Sequence, residues 1–415
     1  MNKNKIKRNL ELSTIEGSFW AIMYGAGETF LSAFFVFLQF SAFQIAFLNS
    51  FPQFIGSCFQ LLSSIIKNQF KTIKQFVVIA SYLQAFFWLF LVFLILYNPS
   101  YYLILIWVSL YWMVASIIGP AWTAWMGYFV PRRLRARYFG KRNRIIGFVS
   151  FITTLIAGYI LDIFDKNMLY GFIIIFIIAF IGRFISSFYL SKKYEFEEKE
   201  KGNILEYLYS FKNLISDKNQ SFYYIIFNSY ISFSIMFFGP LFSIYILRTM
   251  EMSVMIYTIN MILWQVSNFS SANYFGKLSE KIGDYKVLKI STYTIVVLPI
   301  LWILLYYLHN NTLQIMATFI VSSIAGVCFS AYTLSSFNMI YKISKKEDVI
   351  HFSAVGNFVR GFSILIGGIL AGVVVESNYI YDISKNINLI PIHFSMLLSV
   401  LLRFFSIPLL KKLGN

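Results

Sequence analysis

Residues 148–158 read FVSFITTLIAG, and residues 358–368 read FVRGFSILIGG. Five of the eleven positions are identical, 210 residues apart in a chain of 415. A second echo lies at nearly the same distance. Arg183-Phe184-Ile185-Ser186, running on to Lys192-Lys193, returns as Arg403-Phe404-Phe405-Ser406, running on to Lys411-Lys412. The first motif opens an apolar run and the second closes one. Single matches of this kind arise by chance, because apolar segments use few residue types. Two matches at nearly one offset are harder to obtain that way. The chain reads as one module used twice, and a repeated module in a membrane points to a transporter.

Composition puts the module in a bilayer. Apolar residues make up 58% of the chain and charged residues 13%, against about 25% charged in soluble proteins. The apolar residues gather into twelve runs: 14–38, 42–66, 72–97, 101–129, 143–164, 168–191, 220–247, 252–276, 286–308, 312–341, 352–375 and 388–410. Each can cross a hydrocarbon core of ~30 Å as a helix. They are too long and continuous for barrel strands. The expected fold is an all-α polytopic membrane protein of twelve transmembrane helices in two six-helix pseudo-symmetric bundles. The first half would span 1–191 and the second 220–415, with a cytoplasmic linker at 192–219. That linker opens with a mixed-charge run. It then places Ile204, Leu205, Leu208, Phe211, Leu214 and Ile215 on one helical face, which suits a helix on the inner membrane surface or on the inner ends of the spans.

The net charge of +17 could suggest nucleic acid, but its placement does not. Lys3, Lys5, Lys7 and Arg8 precede the first run, Lys67, Lys71 and Lys74 follow the second, and seven basic residues from Arg132 to Arg144 follow the fourth. Odd-numbered connections carry only Lys166, Arg248 and Lys385. This is the positive-inside pattern for an even number of crossings with both termini cytoplasmic, in the cell membrane. The basic excess would meet anionic membrane lipids. Cys58 and Cys328 lie within spans and make neither a disulfide framework nor a metal spacing. The first run is too long and too interrupted by polar residues for a cleavable leader.

Twelve spans, two related halves and a central inner loop resemble the major facilitator superfamily. The most specific local match is Gly276-Lys277-Leu278-Ser279-Glu280-Lys281-Ile282-Gly283, between the eighth and ninth spans. It is similar to that superfamily's cytoplasmic signature. Gly276 would admit a close neighbouring helix, and Glu280 would pair with a facing cation or helix N-terminus. Asp284 and Tyr285 depart from the pattern, and the corresponding first-half loop, Lys67 to Lys74, has neither carboxylate nor Gly. The stretch from Pro131 to Asn143 also resembles one in a prokaryotic group of these transporters with mostly unassigned substrates. An inner gate is therefore expected from Gly276, Glu280, Lys281, Gly283 and Asp284, facing Arg137, Arg142 and Arg144. Many drug/proton antiporters of the superfamily carry Gly-Pro in the fifth span. Thr153-Thr154 stands here instead, which weighs against multidrug export.

Glu28 is the sharpest functional candidate, the one carboxylate near the middle of any predicted span. Placing a charge there costs about 2.5–3.5 kcal/mol, so something must compensate. A proton-coupled carrier needs such a group; a neutral, hydrogen-bonded structural Glu is the plainer reading. Tyr24 and Trp20 stand on the same helical face. The resemblance implies that the first, fourth, seventh and tenth spans line a central cavity. That adds Trp112, Ser116 and Trp122, then Asn228 and Tyr230, then Tyr332, Thr333 and Asn338, with Gln265 and Asn268 from the eighth. Aromatic walls with a few polar groups suit small organic solutes. Arg183 and Arg403 repeat and suggest a shared structural task, either snorkelling or tying span ends together. Arg360 and Asn357 stand near the start of the eleventh span, beside a possible gate.

With three His, no paired intramembrane carboxylates, no phosphate-cradling loop and no nucleophile elbow, the chain does not read as an enzyme and calls for no cofactor. The expected function is secondary active transport of a small-molecule substrate by alternating access, coupled to protons through Glu28, by a monomer. A facilitative uniporter or drug exporter of the same fold is the alternative. A non-transporting receptor or scaffold is the rival from another class.

Overall fold

The computed structural model describes residues 3–130, 135–195, 220–343, 349–386 and 388–413. Within them the secondary structure is helical, with no strand. The proposed surface helix at 204–215 lies outside the described residues.

The helices are α1 (Lys3–Ala26), α2 (Leu31–Phe37), α3 (Ala42–Lys67), α4 (Ile73–Leu96), α5 (Tyr101–Phe129), α6 (Arg135–Ile163) and α7 (Met168–Ser191). The second half continues with α8 (Gln220–Ile235), the short α9 (Phe242–Ile244), α10 (Val254–Ile282), α11 (Asp284–Tyr306) and α12 (Asn311–Ile343). It ends with α13 (Val349–Glu376), α14 (Asn378–Asn386) and α15 (Pro391–Leu413). Side-chain caps explain several starts. Thr72 accepts from the Gln75 amide, Ser100 from Leu103 and Ser253 from Ile256, each satisfying one orphan N–H of a first turn.

Eleven segments among the described residues are long and apolar enough to cross a membrane. The eighth expected span is present as α10, long enough at 29 residues but below that apolarity because Gln265, Ser267, Asn268, Ser270, Ser271 and Asn273 dilute it. On α4 the exposed side chains Ile79, Leu83, Phe86, Phe90 and Phe93 recur every three or four residues. That is the stripe a helix presents to lipid.

Two spans expected to be continuous are broken. The first gives way to a 3-10 turn at Glu28–Phe30. The seventh gives way to one at Gly239–Leu241, then α9 and a π-turn at Tyr245–Thr249. Gly27 admits the Trp88 ring at the first break, since a Cβ there would fall 2.5 Å from it. Pro240, lacking an N–H, opens the second.

The chain divides into two compact units, Met1–Phe34 with Ile55–Ile204, and Phe35–Phe54 with Leu205–Asn415. In the first, α1 packs on α6 and α7, and α4 on α5 and α7; in the second, α8 packs on α13 and α15, and α11 on α12 and α15. First helix meets fifth and sixth, and third meets fourth and sixth, in each. The repeated arginines hold equivalent places in this scheme. Arg183 ties α7 to α4 through Ser81 and Gln84. Arg403 ties α15 to α11 through the Ile295 carbonyl at 2.8 Å. Both are 3% exposed, which makes them internal ties and not snorkelling side chains.

Residues 35–54 depart from the expected boundary by counting with the second unit. Arg248 donates to the Phe40 and Val36 carbonyls, each at 2.6 Å. Glu376 accepts from the Phe43 amide at 2.7 Å. Gly368 and Gly372 of α13 let α3 approach so closely that a Cβ would fall 2.3 Å from Ser50 Oγ and 2.6 Å from Phe43 Cα. This is small-residue helix packing of the kind membranes favour.

Candidate functional site

Glu28 sits at the break in the first span. Tyr111 of α5 donates a hydrogen bond to Glu28 Oε1. Gln84 Nε2 of α4 donates to Tyr111 Oη at 3.0 Å, and Arg183 Nε of α7 donates to Gln84 Oε1 at 2.7 Å. Arg183 also donates to Ser81 at 3.0 Å and Ser186 at 3.3 Å. The chain has a direction. Gln84 uses its amide on the phenol, and the phenol's one proton is left for the carboxylate. A guanidinium stands at one end and a carboxylate at the other, joined by bonds that polarise each other. Around it pack Trp88, Trp107, Phe172 and Phe176, all 1% exposed or less. Trp88 and Tyr111 stack edge to face at 5.2 Å. The compensation that Glu28 needs thus comes from inside the first unit, and Arg183 has its part in it.

The other aromatic candidates divide. Trp20 and Tyr24 stack at 5.5 Å beside Glu28 on one row of α1. Trp112 meets Tyr111 edge to face at 6.1 Å. Ser116 is packed on Gly56, where a Cβ would fall 2.3 Å from its hydroxyl. Trp122 is elsewhere. It lies roughly 16 Å further along α5, and its Nε1 donates to Glu16 at 3.0 Å.

Glu16 is a residue the sequence reading missed. It is 3% exposed and paired with Arg142 at 3.2 Å. Arg142 also donates to the Ser13 carbonyl at 3.0 Å and lies over the Trp122 ring at 4.5 Å. Lys193 completes the cluster, buried at 1% against Trp125 at 4.4 Å and Met126 Sδ at 3.1 Å. Burial pulls its ammonium down to about 8, with Glu16 opposing the fall and Arg142 adding to it. The available signal was spacing: Glu16, Trp20, Tyr24 and Glu28 form one i, i+4 row.

In the second unit, Tyr332 donates to Asn228 Oδ1 at 2.5 Å, so these two candidates do meet. Tyr230 packs on Phe233 at 6.0 Å. Gln265 is half-buried and Thr333 exposed. The Asn268 backbone belongs to the contact of α10 with Gly326, where a Cβ would fall 2.3 Å from the Trp264 carbonyl. Asn338 does not join Tyr332. Its amide donates to Asp284 Oδ1 at 2.8 Å.

The signature stretch behaves differently from expectation. A Cβ on Gly276 would meet only Leu334, at 3.9 Å, so the close helix approach is made at Gly326 instead. Gly283 is the residue that needs to be glycine, with φ +89° at the joint of α10 and α11. Asp284 is buried and pairs with Lys342 at 2.5 Å. Glu280, Lys281 and Arg144 are exposed, and the Arg137 side chain lies outside the described residues. Arg142 and Asp284 therefore each have an opposite charge within their own unit, Glu16 and Lys342.

Helices enough for many crossings, a broken span at Glu28 and another at Gly239, and a carboxylate–arginine chain at the first break fit a polytopic membrane transporter. The Major Facilitator Superfamily model matches residues 17–368, and the chain belongs to that family. Solved structures share the fold. A mutant of the nucleoside transporter NupG matches with TM-score 0.75 and 16% identity, covering 98% of this chain and 100% of that one. A bacterial homologue of the iron transporter ferroportin, in an inward-facing state, matches with TM-score 0.70, 12% identity and full coverage of both chains. A bacterial homologue of the human lysosomal transporter Spinster matches with TM-score 0.70 and 12% identity over 100% of this chain and 98% of that one. No curated protein sequence matches the chain.

Proposed function

We propose that the protein is a secondary active transporter that moves a small organic solute across the cell membrane by alternating access and couples it to protons through Glu28. The observation that carries this reading is the pair of broken spans. The 3-10 turns begin at Glu28 and Gly239, offset by 211 residues, close to the 210 of the first sequence echo. Interrupted helices at corresponding places in two repeats are where carriers of this kind build their sites. Glu28 sits in one of them with a donor chain ready to receive its charge.

In this reading α10 is the twelfth crossing, both termini are cytoplasmic, and each half is a six-helix bundle. Arg248 and Glu376 hold residues 35–54 through main-chain atoms, contacts that can break and re-form as access alternates. The other candidates, Trp20, Tyr24, Asn228 and Tyr332 first, would contact solute.

The test is proton movement in proteoliposomes loaded with a pH-sensitive dye, with uridine and a set of small organic acids offered outside. Wild type should move protons with at least one solute. Glu28→Gln should not, while still exchanging that solute down its own gradient, because Gln imitates the protonated form. Solute-driven proton flux at the wild-type rate in Glu28→Gln would sink the coupling role.

A further inference from the structure

Arg360 stands within the α13 span Phe352–Glu376, about 12 Å from its first residue. Unlike Arg183 and Arg403 it is exposed, and it makes no hydrogen bond or ion pair among the described residues. An unspent charge within a span is costly when it faces lipid. Helix geometry says that it does not. The lipid-type stripe of α13 is Phe362, Ile366, Leu370 and Val373, at 50%, 36%, 41% and 51% exposure. At about 100° per residue, Arg360 is centred roughly 125° away from that stripe.

It falls instead within roughly 20–40° of Gly356 and Gly367, whose Cβ positions would meet Ile225 at 3.7 Å and the Phe233 carbonyl at 2.5 Å, both on α8. The Arg360 Cα–Cβ bond is therefore directed to the α8 side of α13 and away from the lipid-type stripe.

Near it are two tyrosine hydroxyls whose protons are already committed. Its charge reaches the hydroxyls of Tyr224 and Tyr332. Tyr332 spends its proton on Asn228 Oδ1 at 2.5 Å, and the Asn228 amide N–H groups make no hydrogen bond among the described residues. Tyr224 is engaged with Ser336, at 2.7 Å to the carbonyl. No carboxylate among the described residues pairs with Arg360. Glu280 and Asp284 lie at the joint of α10 and α11, and Glu376 caps the Phe43 amide.

From this we infer that Arg360, with the Asn228 amide, binds an anionic group, a carboxylate or phosphate, so that the transported solute is an organic anion. A planar guanidinium with free donors suits bidentate capture of such a group. The inference rests on the transporter reading and adds the substrate class.

The experiment uses purified full-length protein in phosphatidylcholine nanodiscs. Thermal unfolding is followed with benzoate or inorganic phosphate against chloride at equal ionic strength. A ligand that binds only the folded form raises its melting temperature. Wild type should gain at least about 2 °C with one of the two probes. Arg360→Gln should gain nothing while melting like wild type in chloride, since the side chain has no bond to lose. Arg360→Lys should gain part.

An equal rise in wild type and Arg360→Gln, or no rise in wild type with either probe, overturns the proposal. Nanodiscs with phosphatidylglycerol form a second arm. A gain there that requires Arg360, without one from benzoate or phosphate, would assign the residue to a lipid headgroup and also overturn the solute claim. Proton coupling plays no part in this readout. Failure of the anion site and failure of Glu28 as coupling group are therefore seen in separate assays.

Discussion

Tyr111 and Glu28, 83 positions apart in the chain, share a hydrogen bond inside the first unit, and the phenol accepts from Gln84 as it donates to the carboxylate. The pair converts an isolated intramembrane charge into the end of a relay. Tyr111→Phe should lower stability by about 1–3 kcal/mol, because Glu28 and Gln84 both lose a buried partner. The double variant Tyr111→Phe/Gln84→Leu should cost less than the sum of the single changes, because its second substitution removes a donor already orphaned by the first. Strict additivity in reversible unfolding would show that the three side chains do not act as a unit.

The two repeated arginines should respond differently to removal. Arg183 makes three side-chain hydrogen bonds at the foot of the Glu28 relay. Arg183→Met should cost about 3–5 kcal/mol, as expected when one end of a buried charged network is deleted. Arg403 makes one bond to a carbonyl, and its Nε is buried without a partner. Arg403→Met should cost far less, and a neutral or stabilising result is compatible with the same rule. Unfolding in detergent distinguishes them, and equal losses would contradict the structural difference.

Glycine substitutions separate motif from packing. Gly276→Ala should be neutral or stabilising by up to about 1 kcal/mol, since it adds helix propensity and meets nothing closer than Leu334. Gly326→Ala should be strongly destabilising, because its Cβ would lie 2.3 Å from a carbonyl oxygen. Gly372→Ala should loosen residues 35–54, read as faster amide exchange at 40–46. A damaging Gly276→Ala beside a harmless Gly326→Ala would reverse the assignment.

Lys193 predicts a pH dependence. Its ammonium falls from an ordinary 10.5 to about 8 in the folded chain, so between these values the unfolded chain holds a proton that the folded one has released. Stability should therefore rise as pH goes from about 8 to about 10.5, by on the order of 3 kcal/mol at most. Lys193→Met should flatten that rise. An identical rise in Lys193→Met would place its origin elsewhere.

The class of protein was legible along the chain, because crossing a bilayer is a local demand: about twenty apolar residues in a row, with basic residues at the inner ends. Repetition was legible too, and the Arg183 and Arg403 echo turned out to mark equivalent ties between third and sixth helices. What the sequence could not show was partnership over distance. Glu16 and Arg142 are 126 residues apart, and Arg183 and Gln84 are 99 apart. Nothing in either stretch says that a buried charge at one will be met at the other.

Gly276 sat in the recognisable motif, yet the space that only glycine can fill is at Gly326. Gly27 looked like one glycine among several until Trp88 was seen to occupy the place of its Cβ. Hydropathy and charge placement are properties of the chain itself, and they settled the membrane class. Which helix face meets which is decided by three-dimensional packing. Only that packing gave Glu28 its donor and left Arg360 without an acceptor among the described residues.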